Sequence, residues 1–136
     1  MVMAKVKYLG GLRTEAVHLA SGNKIITDAP TDNQGKGQAF SPSDLLCSSL
    51  ASCMLTIMGI AANTHNMNID NTEVEVTKIM AANPRRVGEV HITITLPKVK
   101  YSDKEKSILE NAAKTCPVAL SVNPAIIQKI EFVYTE

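Results

Sequence analysis

The run from Leu45 to Ala62, LLCSSLASCMLTIMGIAA, carries no charged residue and constrains the fold of this chain more than any other segment. Ser41, Pro42 and Asp44 precede it in the order of an N-cap, a first-turn proline and a capping-box acid, so a helix starts here. About 22 helical residues at roughly 1.5 Å each make a rod about 33 Å long. A helix apolar around its circumference needs cover on every side. The run approaches the lower limit of about 17 residues for crossing a bilayer. Ser48, Ser49, Ser52, Thr56 and Gly59 dilute it, however, and no basic anchor flanks it. The expectation is therefore a long, buried central helix and no membrane contact. A domain of this size has a radius of gyration of only about 14 Å, too small to wrap such a rod, which predicts a second copy covering one helix face.

The 136 residues amount to one domain by the length prior, residues 1–136, with a core of its own. Fourteen basic and thirteen acidic side chains nearly cancel, and with no Trp and two Phe there is little to stack on bases, which argues against a nucleic-acid partner. MVMAKVKYL lacks an apolar signal-peptide core, so a cytoplasmic protein is expected. Three cysteines without a CxxC argue against a disulfide framework and a zinc ribbon, leaving reduced thiols.

Residues 2–9, 13–19 and 24–27 alternate as strands, separated by Gly10-Gly11 and Ser21-Gly22-Asn23, an antiparallel meander. Residues 28–40 concentrate Pro, Gly, Asp and Asn and read as a surface loop. Beyond the helix, residues 72–80 and 87–96 alternate around AANPRR and read as a hairpin with its apolar face on the helix. Ser102 and Glu105 open a second helix reaching about Lys114, with Ile108, Leu109 and Ala112 inward. Pro117 ends it and starts a short helix, PVALSV, and residues 126–134 close as a strand. The order is that of an α+β fold.

Cys53 lies in mid-helix among Leu46, Leu50, Ile57 and Ile60 and reads, on position alone, as a small buried hydrophobe. Mid-helix placement denies it the helix dipole, so a reactive Cys53 would need a cation from elsewhere. Cys116 precedes Pro117 at a helix start, where unpaired N–H groups favour a thiolate and where a plain cap is the other reading. Cys47 is six residues before Cys53, roughly 120° around the helix and about 9 Å along it, which excludes a disulfide between them. Of three arginines, Arg85 and Arg86 stand at the hairpin tip and Arg13 at a strand start. Asp44 reads as a capping acid. His18, His65 and His91 show no ligand spacing, so metal binding is not expected.

The SPSDLL and SLASC segments, followed by a second Cys-Pro-Val in AAKTCPVALSV, resemble the OsmC/Ohr family of thiol peroxidases, and the likeness covers nearly the whole chain. GGLR and SGNKIITDAP are similar to the smaller OsmC-like branch. The resemblance implies an OsmC-like fold with antiparallel sheets around the central helix, in an intertwined homodimer with active sites at its interface. It implies reduction of organic hydroperoxides without a cofactor, with Cys53 as the peroxidatic thiol, Cys116 as the resolving one and an external dithiol as reductant. It assigns an activating cation to Arg13, held by an acid. The best-characterised members carry that acid ten residues before the reactive Cys, where this chain has Ser43; Asp44, nine before, matches the OsmC-like branch. Leu50, Met54 and Ile57 are candidate substrate-pocket walls by helical spacing. Two other classes stand beside this reading: a non-catalytic protein binding a small hydrophobic ligand at the interface pocket, and a thiol sensor acting through a partner.

Overall fold

The computed structural model describes residues 1–135 and falls into two compact units, one from Met1 to Leu46 and one from Cys47 onwards. The first is a three-stranded antiparallel sheet of β1 (Ala4–Gly10), β2 (Arg13–His18) and β3 (Lys24–Asp28), in that order. Gly10, Gly11 and Leu12 all take positive φ at the first turn, where a bulge separates Tyr8 from Gly10. The pairing sets Val6, Ala16 and Ile25 in one row and Tyr8, Thr14 and Thr27 in the next, on the same face. That face is open at Val6, Tyr8 and Ile25, which are 68%, 63% and 49% exposed, while Thr27 at its end is buried.

The strand β3 runs one residue beyond the expected loop boundary, and Asp28 is buried in it instead of lying on the surface. The segment that follows, with a single 3-10 turn at Thr31–Asn33, is tied down by its backbone: Gly35 N–H donates to Pro30 O at 3.0 Å and Gly37 N–H to Ala29 O at 3.1 Å. Only glycine fits at position 35, since a Cβ there would lie 1.8 Å from the Ala29 carbonyl oxygen.

The helix α1 (Pro42–Thr64) opens in the first unit and continues through the second. In the second unit it turns Cys47, Leu50, Ala51, Met54, Met58 and Ala62 inward, a stripe at helical spacing. The expected all-round burial is not met within one chain, because a single sheet covers a single helix face; Ile60 on the opposite side is 58% exposed. The same uncharged length would suffice for a membrane span by composition, but the inward stripe makes it a core helix of this unit.

The partner sheet comprises β4 (Glu73–Ala81), β5 (Arg86–Thr95) and β6 (Ile127–Val133). Val74, Val76, Ile92, Ile94, Ile130 and Phe132 share its core face. The β4–β5 pair is the expected hairpin, and Arg86 folds back over its tip to donate to Ala82 O and Pro84 O. The β5–β6 pair is parallel, which corrects the all-antiparallel expectation. Residues 96–126 form a crossover carrying α2 (Asp103–Lys114) and α3 (Pro117–Ser121), the kind of connection parallel neighbours require. Ser102 and Glu105 form the reciprocal capping box that starts α2. Leu109 and Ala113 are its buried residues.

Candidate functional site

Two cysteines far apart in sequence come close together inside the second unit. Cys53 sits midway along α1 and is half-buried, while Cys116 caps α3 and is fully buried. Cys53 packs against the core cluster that contains Cys116, near enough for its thiol to influence the Cys116 proton, and all three cysteines are free. Cys116 Sγ also accepts the N–H of Ala119 at 3.3 Å, completing the cap at the start of α3.

The helix start does not make Cys116 a thiolate. Burial pushes its pKa up from the ordinary value and outweighs the Ala119 and Val118 N–H groups that favour the anion, and the neighbouring Cys53 thiol pushes the same way. The pair is therefore asymmetric. Cys53 is the half-buried member, while Cys116 is buried, protonated at neutral pH and close by.

Arg13 and Asp28 form the charged site of the first unit. They face each other across β2 and β3, with Arg13 Nε 3.8 Å from Asp28 Oδ2. Asp28 is 1% exposed and accepts the Gln38 N–H at 3.0 Å, while its Oδ1 and Arg13 Nε have no hydrogen-bond partner. Asp44 takes the Ser41 N–H at 2.9 Å and Ser41 Oγ takes the Asp44 N–H at 3.1 Å, a capping box that starts α1. The carboxylate beside Arg13 is thus Asp28, whereas sequence reasoning had Asp44 in that place.

The expected pocket walls divide. Leu50 and Met54 point into the core, 1% and 0% exposed, so they line no accessible surface here; Ile57 is only partly buried and packs at the core's margin. Helical geometry explains this, because Leu50 and Met54 lie on the stripe facing the sheet. Among the described residues no group of three His, Cys, Asp or Glu side chains comes together to hold a metal. His91 bonds to Glu89, which also pairs with Lys129, on the opposite face of the sheet.

A family profile described as OsmC-like protein matches residues 35–131. A Psychrobacter arcticus structure, provisionally described as an osmotic stress induced and detoxification response protein, is 59% identical over 97% of this chain and 96% of its own, with a TM-score of 0.93. The chain belongs to the OsmC-like family. Its fold recurs in an organic hydroperoxide resistance protein OsmC from Legionella pneumophila, 15% identical over 98% of both chains with a TM-score of 0.76. It recurs again in the organic hydroperoxide resistance protein OhrB of Bacillus subtilis, 19% identical over 96% of this chain and 98% of that one, with a TM-score of 0.70. A search of curated protein sequences finds no match.

Proposed function

We propose that this OsmC-like protein is a cysteine-based peroxidase that reduces organic hydroperoxides. The observation that carries the reading is the closeness of a half-buried Cys53 to a buried Cys116, which orders their roles. A Cys53 thiolate attacks one peroxide oxygen; an S–O bond forms, the O–O bond breaks, and the alkoxide leaves as the alcohol after taking a proton. Cys53 is then a sulfenic acid. The Cys116 sulfur attacks it, an S–S bond forms as the S–O bond breaks, and the oxygen departs as water with the Cys116 thiol proton. An external dithiol returns two electrons by exchange.

The names borne by the Legionella and Bacillus structures support organic hydroperoxides as the substrate class. Ile57 and Ile60, four and seven residues after Cys53, supply apolar surface for an alkyl group. Arg13, with Asp28 beside its guanidinium, is the cation proposed to favour the thiolate. A homodimer belongs to the same reading, because the open face of the β1–β3 sheet and the uncovered side of α1 expose large apolar side chains. Three free thiols suit a reducing cytoplasm.

The test is peroxide consumption by the reduced protein with cumene hydroperoxide and excess dithiothreitol. Cys53→Ser should abolish it, and Cys116→Ser should retain Cys53 as a trappable sulfenic acid. Consumption by both variants at the parent rate contradicts the assignment. A parent that binds the hydroperoxide without consuming it is instead a ligand-binding protein.

A further inference from the structure

Gln128 is an amide on the core face of β6, in line with Val90 across the sheet and two residues from Ile130 on its own strand. An amide half-buried in such company loses part of its hydration and gains from a bond. Its Nε2 donates to the carbonyl oxygen of Ala119 at 3.1 Å. The N–H of the same residue, Ala119, donates to Cys116 Sγ. One residue of α3 is therefore held at its carbonyl by the sheet and holds the thiol through its amide.

The helix α3 has five residues, too few to hold its own geometry in water. Its shape depends on tethers, and Gln128 supplies one from a strand of the core sheet. We propose that Gln128 is a positioning residue for Cys116, fixing the turn that presents its sulfur to Cys53. The inference rests on the peroxidase reading and concerns only its second step. In that step the Cys116–Cys53 S–S bond forms, the Cys53 S–O bond breaks, and the oxygen leaves as water with the Cys116 proton. A loosened α3 leaves the sulfurs chemically intact but spreads Cys116 over more orientations, and small misplacements of reacting atoms slow a step by one to two orders of magnitude.

The experiment mixes the full-length protein rapidly with cumene hydroperoxide and follows two events, loss of the Cys53 thiol and closure of the disulfide. Gln128→Met keeps the length and volume of the side chain without its donor, and suits an apolar face. Gln128→Asn keeps the amide but is one methylene too short to reach. Both variants are expected to lose the Cys53 thiol within about twofold of the parent rate while closing the disulfide on the order of tenfold more slowly. The sulfenic acid should persist long enough for dimedone to trap it. A merely structural amide would lower the melting temperature and leave the ratio of the two rates unchanged, and that result, in either variant that folds, overturns the proposal. Failure of the parent to oxidise Cys53 overturns the peroxidase reading itself and the role of Gln128 with it.

Discussion

Breaking the Arg13–Asp28 pair should show which carboxylate belongs to the arginine. At 3.8 Å, two unit charges interact by about 4 kcal/mol at an effective dielectric of 20 and by about 1 kcal/mol in bulk water. The Arg13 side chain is 38% exposed, and its Nε lies too far from Asp28 for a hydrogen bond, so solvent screening brings the coupling towards the lower figure, about 1 kcal/mol. A double-mutant cycle of Arg13→Gln with Asp28→Asn, read by urea unfolding at one fixed protein concentration, should return that value. The matching cycle of Arg13→Gln with Asp44→Asn should return a coupling within error of zero, about 0.3 kcal/mol. Asp44→Ala alone should cost about 1 kcal/mol through the lost cap of α1. A larger coupling of Arg13 to Asp44 than to Asp28 would refute the reasoning.

Other expectations follow from burial. In a Cys53→Ser background, Cys116 should alkylate slowly at neutral pH and speed up only above the ordinary thiol range, because burial holds its proton; unfolding in urea should abolish the lag. Leu109→Ala, at a side chain with no exposure, should cost about 2–5 kcal/mol in chemical unfolding, whereas Leu120→Ala, at a side chain 73% exposed, should stay within about 0.5 kcal/mol. Tyr134 hydrogen-bonds to Glu110 and is pushed well above its ordinary pKa by burial and that carboxylate. The folded chain then keeps a proton that the unfolded chain loses above about pH 10, so stability should fall as pH rises past that point. Tyr134→Phe should flatten the fall in melting temperature.

Much of this was legible because local signals agreed with the fold. The Ser41-Pro42-Asp44 opening and the uncharged run placed α1, and two-residue alternation placed β4 and β5. The Cys-Pro pair placed Cys116 at a helix cap, as found. What alternation does not carry is strand direction: the run 127–133 reads alike in either sense, and only the helical crossover before it makes β6 parallel. Periodicity likewise does not say which side of an uncharged helix faces the sheet, so Leu50 and Met54 passed for pocket walls. Asp28 was missed through its company of turn residues. The β2–β3 register is centred between Ala20 and Ser21, which brings residue 13 opposite residue 28, whereas a turn centred on Ser21-Gly22 would set it opposite residue 30. Gln128 had a faint signal, as an amide at an inward position of an alternating strand.

The most direct measurement is a peptide map without reduction, after one equivalent of cumene hydroperoxide is added to the fully reduced protein. A single species linking the Cys53 and Cys116 peptides, with Cys47 still alkylatable and two thiols lost per chain, is the predicted result. Three intact thiols, or a linkage through Cys47, would contradict a redox pair built on the closeness of Cys53 on α1 to Cys116 at the start of α3.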